Sequence, residues 1–308
     1  MTTGSMTDAK LQDLETIFSE AEAYFKTDRD QQAFVRFRQA AEADLAKAQC
    51  RLGQCYFHGY GVGEDPAEAE RWYQKALAQL QAAAAQNHRD SQYWLGLCYD
   101  NGWGVAEDSA TAAIWYGRAA QQGHGEAQFI LGACCQYGYG VPQNAHEAVR
   151  WYRKAAAQGY ADAQSSLGFC YHYGWGVAKN EIEAERWYHM AQETNFAQAE
   201  AYYQAKRYTE AVPLYQSAAE TGHAGAQFRL ADCYFYGHGI EENEAKAVQW
   251  RCKAAENGHP EAQYWLGYCY YLGHGVEEDE AQALQWFQKA AAQGQADAKK
   301  MVERLTKQ

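Results

Sequence analysis

The stretch AQCRLGQCYFHGYGVGEDPAEAERWYQKA, residues 48–76, decides the fold, because close copies of it recur along the chain. The copies are easiest to follow at the cysteine of the L-G-x-C-Y segment, which recurs as Cys55, Cys98, Cys134, Cys170, Cys233 and Cys269. Most neighbouring copies stand 36 residues apart; the first interval carries seven extra residues, Leu80–Gln86, and the longest one contains a shortened unit. A fixed period of this length is typical of helical repeat proteins.

The shortened unit has a twin near the amino terminus. AEAYFKTDRDQQA from Ala21 aligns with AEAYYQAKRYTEA from Ala199, an offset of 178 residues. The sequence therefore predicts six full units and two short ones. We expect the short units to interrupt the repeat regularity near Ala21–Ala41 and Ala199–Ala219, and to form bends between a larger and a smaller block. The predicted divisions are an N-terminal segment with the start of the first helix (1–20), a first block (21–190), a second block (191–295) and a C-terminal capping helix (296–308).

Each full unit is predicted to begin with a helix that has one apolar face. Ala48, Leu52, Cys55 and Tyr56 fall at i, i+4, i+7 and i+8, so they share one face of that helix. Gly53 lies beside this stripe and recurs in most units, although an interior glycine weakens a helix. Its recurrence predicts that a neighbouring helix approaches too closely to leave room for a Cβ atom.

The loop and the second helix follow from glycine and cap residues. Gly59 and Gly61 of the G-x-G-V segment accept positive φ and allow a tight reversal, and Val62 anchors the loop. Asp65 and its counterparts, all Asp or Asn, are N-cap residues that begin the second helix, and Glu68 indicates a capping box. That helix ends at A-A-x-x-G with glycine at C′. Because one such helix pair cannot bury its apolar face alone, neighbouring pairs must stack.

The composition of the 308-residue chain excludes several protein classes. With 27 Gly but only 4 Pro and no G-X-Y period it is not collagen-like, and an aromatic content of 15% argues against disorder. No apolar run is long enough to cross a bilayer, and the net charge of −12 argues against binding nucleic acid. Residues 1–20 lack a secretory signal, Met1–Ser5 resembles a cloning remnant, and the nine Cys are expected to be reduced, so we expect a cytoplasmic protein.

No motif for catalysis or metal binding stands out from the repeats. The ten His are scattered, and neither H-E-x-x-H nor paired C-x-x-C segments occur, so no metal site is predicted. The G-x-G-V segment lies between two helices rather than after a strand, unlike a dinucleotide-binding loop. The sequence therefore predicts no cofactor and no enzymatic activity.

Loop, cap and helix positions recur together from about residue 21 to 299, and this combination resembles the Sel1-like repeat, a branch of the tetratricopeptide superfamily. The resemblance implies an all-α fold, a right-handed α-solenoid of antiparallel helix pairs, with the first helices lining a concave side. The short units resemble ordinary tetratricopeptide repeats without the G-x-G loop. Secreted members carry two Cys per repeat that staple each helix pair, whereas this chain has mostly one, which favours reduced core thiols.

The resemblance also implies which side chains contact a partner. In tetratricopeptide repeats, groove-lining positions stand two before, two after, and five and six after the Leu of the first helix. Half of these positions are Phe or Tyr here, as expected of anchors for a protein or peptide. An equally open interpretation is that packing between repeats buries them. The predicted partner-binding residues are Phe57, Tyr93, Asp100, Asn101, Phe129, Tyr137, Phe169, His172, Tyr173, Phe228, Asp232, Phe235, Tyr236, Tyr264, Tyr268 and Tyr271.

The function predicted from these features is a non-enzymatic adaptor that binds a protein or peptide partner. Acidic residues at 241–244 and 277–280 are compatible with a basic partner or with solvated helix starts. An immunity or inhibitor protein that neutralises a toxin is the alternative. β-Lactamase-like or penicillin-binding activity, described for a few secreted relatives, is remote because no S-x-x-K site is present. Trp103 and Trp175, inside the G-x-G loops, are candidates for contact or for packing over a neighbouring loop.

Overall fold

A computed structural model describes residues 8–26 and 29–307 of the chain. These residues form sixteen α-helices and no strand, which confirms the all-α repeat fold. The predicted cloning remnant Met1–Ser5 lies outside the described residues, as do positions 27 and 28 within the first short unit.

The helices follow the predicted alternation of first and second helices. Full repeats 1 to 3 are α3/α4, α5/α6 and α7/α8, repeat 4 is α9 with the start of α10, and repeats 5 and 6 are α12/α13 and α14/α15. The bounds are α1 Asp8–Phe25, α2 Asp30–Glu42, α3 Ala46–His58, α4 Pro66–Ala85, α5 Arg89–Asn101, α6 Ser109–Gln121, α7 Gly125–Tyr137, α8 Ala145–Ala156, α9 Ala161–Tyr173, α10 Glu181–Gln204, α11 Tyr208–Glu220, α12 Ala224–Tyr236, α13 Glu244–Glu256, α14 Pro260–Leu272, α15 Glu280–Ala292 and α16 Ala296–Leu305.

The chain divides into two compact units, Met1–Trp187 and Tyr188–Gln308. Both this division and the predicted block boundary at 190/191 fall inside α10, a helix of 24 residues that continues without interruption from the second helix of repeat 4 into the second short unit. The predicted C-terminal helix is α16. The expectation that the short units act as bends stays a prediction.

In the first unit, each helix from α1 to α8 packs against the next one along the chain. The apolar stripe of the first helices forms the core, since Ala48, Leu52 and Cys55 of α3 are fully buried, as are Leu167 and Cys170 of α9. The second unit repeats this arrangement from α11 to α16.

The helix ends form as the sequence predicts, with one exception. The Asp65 carboxylate accepts from the backbone N–H groups of Ala67 and Glu68 at 3.1 and 3.0 Å, and it starts α4. The capping box is wrong: the Asp65 N–H donates to the carbonyl of Tyr56 at 2.8 Å, so Glu68 has no cap N–H left to accept. Gly59 ends α3 with φ of +75°, a left-handed conformation that favours glycine.

The close approach predicted at the interior glycine is present, and an aromatic ring makes it. A Cβ atom on Gly53 would lie 2.5 Å from Tyr73 of the second helix, and one on Gly132 would lie 2.7 Å from Tyr152. We call the second-helix position of these rings the crossing slot. The ring occupies the space that a Cβ atom would need, so a ring in this slot requires glycine on the first helix.

Buried glutamines link one repeat to the next. The Gln92 Nε2 donates to the carbonyl of Ala84, and its Oε1 accepts from Gln122 at the end of α6 at 2.7 Å. Gln158 and Gln128 make the same bond at 2.7 Å, and so do Asn257 with Gln227 and Gln293 with Gln263. We call these side-chain pairs the glutamine ladder. Each pair supplies a hydrogen bond to the side-chain carbonyl oxygen of a buried glutamine, which would otherwise lack a partner and destabilise the fold.

Candidate functional site

The predicted partner-binding residues separate by exposure. Phe57, Tyr137, Phe169, Tyr173 and Tyr236 are 41% to 65% exposed, which is high for aromatic rings. Asp100 and Asn101 are also exposed. The remaining nine are partly buried: Tyr93, Phe129, His172, Phe228, Asp232, Phe235, Tyr264, Tyr268 and Tyr271.

Most of the exposed rings of the first unit lie where the first helices end. Phe169 and Tyr173 of α9 contact each other with ring centroids 4.6 Å apart. Tyr137, the last residue of α7, lies 5.7 Å from Tyr139 of the following loop. The sequence analysis missed Tyr139, which is 61% exposed; its position inside G-x-G, where another repeat carries Trp103, was the available signal. We call Phe57, Tyr137, Tyr139, Phe169 and Tyr173 the exposed aromatic set.

The rings two residues before the Leu mostly serve packing. Tyr93 stacks on His124 of the next repeat at 4.4 Å, and Phe228 stacks on His259 at 4.9 Å. Each of these His caps a first helix, because its Nδ1 accepts the backbone N–H three residues on, at 3.3 Å in both cases. Phe129 packs 5.9 Å from Tyr152. These contacts give the His that follow the C′ glycine a structural role.

Two predicted acidic residues bond within the chain. Asp100 accepts from the Tyr116 hydroxyl at 3.1 Å. Asp232 accepts from Arg251 at 3.4 Å, and the guanidinium of Arg251 also lies 4.6 Å from the Phe235 ring. Burial raises the pKa of Asp232, and the nearby Arg251 opposes that rise. Each carboxylate therefore connects the first helix of its repeat to the second, and Asp100 is in addition exposed near the end of α5.

The remaining residues of the predicted set have neighbours of their own. His172 Nδ1 lies 2.6 Å from a carboxylate oxygen of Glu181. Tyr264 and Tyr268 form an aromatic pair at 5.1 Å, and the Tyr268 hydroxyl lies 3.6 Å from the sulfur of Met301 in α16. Tyr271 continues this cluster at 6.4 Å from Tyr268. The last helix therefore covers part of the predicted surface of repeat 6.

A cavity of about 330 Å³ lies in the first unit beside repeat 1. It brings together two predicted residues, Phe57 and Asn101, that are 44 positions apart in sequence. Trp103 also lines it and stacks on Tyr73 at 5.7 Å with nearly parallel rings. Because Trp103 is buried, packing is the outcome for this loop tryptophan, whereas Trp175 is half-buried.

The nine cysteines are free thiols, and eight of them are buried. Burial raises the pKa of Cys55 to about 12 and that of Cys170 to about 11, so both remain protonated and unreactive at neutral pH. Cys50, which has no evident partner in the sequence, has its sulfur 3.8 Å from that of Cys98. This contact could not be predicted from the repeat spacing, because Cys98 is the repeated cysteine whereas Cys50 is an additional one.

A family model of the Sel1 repeat matches six segments that make up more than half of the chain: residues 46–79, 89–124, 125–160, 161–191, 224–259 and 260–295. The chain belongs to the Sel1 repeat family. Proteins of this family generally mediate protein–protein interactions and generally act as non-catalytic scaffolds.

Individual relatives resemble this chain over a shorter stretch or at lower sequence identity. An exopolysaccharide production negative regulator of Rhizobium meliloti is 45% identical over 47 residues, which is 15% of this chain and 18% of that protein. A Sel1 repeat protein from Oxalobacter formigenes is 29% identical, with 89% of this chain and 96% of that chain covered and a TM-score of 0.38. An immunity protein from Pseudomonas aeruginosa is 20% identical, with 80% and 82% covered and a TM-score of 0.38.

Two features are absent from the described residues of this Sel1 repeat protein. Nowhere among them do three or more His, Cys, Asp or Glu side chains converge in an arrangement that could hold a metal ion. Within the same residues, every helix is too short or too polar to traverse a lipid bilayer.

Proposed function

We propose that this Sel1 repeat protein is a non-enzymatic adaptor that binds a protein or peptide through the exposed aromatic set of its first unit. The observation that carries the proposal is the contrast between ring positions. Rings in the crossing slot are buried against glycine, whereas rings at the first-helix ends remain 41% to 65% exposed.

Exposed rings favour a protein partner for a physical reason. A tyrosine or phenylalanine removes a large apolar area from water when it is covered, and it loses little conformational entropy because few bonds rotate. Phe169 and Tyr173 already contact each other, so binding would not have to order them separately. The repeats between them and Phe57 provide an extended surface rather than a single deep pocket.

The test is capture of partners from the native host, followed by mass spectrometry. The triple variant Tyr137→Ala, Phe169→Ala, Tyr173→Ala should lose the captured partner while keeping its helical circular dichroism and its melting temperature. The matched control is Ile114→Ala with Ile182→Ala, which removes apolar side chains that are 56% and 79% exposed on second helices of the same unit. Capture that is unchanged in the triple variant would contradict the proposal.

A second candidate, neutralisation of a basic toxin, is favoured by the acidic residues of the second unit. Glu241, Glu242 and Glu244 are exposed around the start of α13, and residues 277–280 are exposed around the start of α15. Complementary charge accelerates association at low salt. An association rate with a purified partner that falls steeply as salt rises would support this candidate, and a flat salt dependence would end it.

A further inference from the structure

We propose that the cavity beside repeat 1 binds an arginine side chain of the partner. In this site the Glu70 carboxylate and the Asn101 Oδ1 accept hydrogen bonds from the guanidinium group, and the Phe57 ring packs against its flat face. The proposal rests on the proposed function, because Phe57 belongs to the exposed aromatic set and the proposal names the residue that the partner brings to it.

The first argument is that repeat 1 carries a carboxylate where most repeats carry an apolar side chain. Glu70 stands five residues after the cap residue Asp65. The corresponding residues of repeats 2 to 6 are Ala113, Val149, Glu185, Val248 and Leu284. In repeat 5 this side chain packs against the next loop, since a Cβ atom on Gly275 would lie 2.9 Å from Val248. In repeat 1, by contrast, the exposed Glu70 lines a cavity together with residues of the following loop.

The second argument is that Glu70 is already held in place. The Gln74 Nε2 donates to the Glu70 Oε1 at 2.7 Å, and it also donates to the carbonyl of Gly104, in the loop of repeat 2, at 2.7 Å. No described residue donates to the other carboxylate oxygen of Glu70. A fixed carboxylate with a free oxygen suits a cationic ligand, because binding does not have to order the carboxylate.

The third argument is the chemistry of the remaining wall. Asn101 donates through Nδ2 to the carbonyl of Leu97 at 2.9 Å, which leaves its Oδ1 as an acceptor. Phe57 supplies an aromatic ring, and none of the described residues that line the cavity is Lys or Arg. A guanidinium group is planar and has five N–H donors, so it can bond to a carboxylate and an amide oxygen together while it stacks on a ring. The ammonium group of lysine is a compact point charge and matches this wall less well.

Size and access agree with a side chain as the ligand. The cavity measures about 330 Å³, at the lower end of the range for ligand sites, so it takes one side chain rather than a whole cofactor. Phe57, Glu70 and Asn101 are all exposed, so the groups that would contact the arginine can be reached from solvent. The net charge of −12 also attracts a cation to the surface over longer distances.

The test uses three blocked tripeptides that share their backbone and differ in the central residue. Acetyl-Gly-Arg-Gly amide, its lysine analogue and its citrulline analogue, which has the shape of arginine without the charge, are titrated into the full chain. The indole N–H resonance of Trp103, which lines the cavity, is followed by NMR and assigned with Trp103→Phe. The arginine peptide should shift it saturably, with a dissociation constant about tenfold below that of the citrulline peptide, the effect of a charge-assisted hydrogen bond.

Two substitutions of Glu70 and one control variant sharpen the test. Glu70→Gln keeps the shape but removes the charge, so it should weaken the arginine peptide about tenfold and leave the citrulline peptide unchanged. Glu70→Val copies the residue of repeats 3 and 5 and should abolish the shift. Glu185→Gln removes a carboxylate from the same position of repeat 4 and should bind like the unmodified protein. Circular dichroism checks that each variant is folded.

Three results would overturn the site. Equal affinity for the arginine and citrulline peptides would show that the cavity does not recognise the charge. An unchanged arginine affinity in Glu70→Gln would exclude the carboxylate as the contact. A lysine peptide that binds as tightly as the arginine peptide would refute the choice of arginine.

Failure of this site and failure of the adaptor function give different results. If partner capture is lost in the triple aromatic variant but unchanged in Glu70→Gln and Glu70→Val, the adaptor function stands and the arginine site is wrong. If the triple variant still captures the partner, the proposed surface is wrong whatever the peptides show.

Discussion

Two repeats of this Sel1 repeat protein occupy the crossing slot with opposite chemistry. In repeat 3 a neutral ring, Tyr152, lies against Gly132. In repeat 5 the same two positions hold Arg251 and Ala231, and the buried Arg251 pairs with Asp232. The first helices of the two repeats both have 13 residues and the same His and Gly caps, and both second helices begin at an Asn cap, so the scaffold tolerates the exchange.

The difference shows that the glycine and the crossing side chain change together. A flat ring needs the space above glycine, whereas a flexible arginine leaves room for the methyl group of alanine. The exchange also replaces a hydrogen bond between neutral groups by a buried ion pair. Removing one member of such a pair leaves the other charge buried and uncompensated. The two repeats should therefore respond differently when one partner is removed.

The largest effect is expected where the ion pair is broken. Asp232→Ala leaves the guanidinium of Arg251, which is only 3% exposed, without its carboxylate, and should lower the free energy of unfolding by about 3–5 kcal/mol. Urea denaturation of the full chain measures it. Asp100→Ala, which removes the acceptor of a neutral tyrosine, is the matched control and should cost less. Equal losses would show that the charge makes no difference.

The next effect concerns space in the neutral repeat. Gly132→Ala places a Cβ atom 2.7 Å from the Tyr152 ring and should destabilise by about 1–3 kcal/mol. Gly117→Ala is the control: its Cβ would meet no atom closer than 4.0 Å, and alanine favours a helix. A shift of both thermal midpoints in the same direction would argue against the close approach as the reason for glycine.

A smaller effect separates two tyrosines with the same place in their repeats. Tyr152→Phe removes a hydrogen bond to Gln136 and should cost about 1 kcal/mol. Tyr73→Phe removes a hydroxyl for which the described residues supply no partner, and it should leave the free energy of unfolding unchanged or slightly higher. Paired chemical denaturation curves decide this, and an equal loss in both variants would mean that Tyr73 has an acceptor.

The smallest effect tests what the two units have in common. Burial lowers the pKa of His124 in the first unit and of His259 in the second, although a nearby glutamate opposes it in each case. The unfolded chain therefore binds more protons near pH 6, so this stabilisation is complete above about pH 6.5 and is lost as the pH falls through the folded pKa. Asn at either position keeps a cap acceptor and should reduce the acid sensitivity by less than about 1 kcal/mol. A clear difference between the two variants would show that the caps are not equivalent.

Much of this architecture is predictable from the spacing of residues. The caps at Asp65 and its counterparts recur in every full unit, and the contact that excludes a Cβ at Gly53 recurs in most of them, so both follow from local geometry. The site is less predictable because exposure depends on the neighbouring repeat. Tyr93 is covered by a histidine of the next repeat, whereas the ring neighbours of Tyr173 among the described residues are Phe169 and His172 of its own helix. That the Tyr73 hydroxyl lacks an acceptor among the described residues is visible in the sequence only once the usual acceptor position, occupied here by Phe57, is known.

At Gln49 the glutamine ladder lacks the bond to the side-chain oxygen, and this bears on how cooperatively the repeats unfold. Gln49 has the same place in its repeat as Gln92, but its Oε1 has no hydrogen-bond partner among the described residues, and this coincides with the seven-residue insertion at the end of α4. In a stack held together by contacts between nearest neighbours, the loss of one such bond lowers the coupling between adjacent repeats. The first unit should therefore open most readily between its short unit, whose Ala41 carbonyl in α2 accepts from Gln49, and repeat 1. The insertion that lengthens α4 thus also determines where a group of backbone amides first exchanges its hydrogens with solvent.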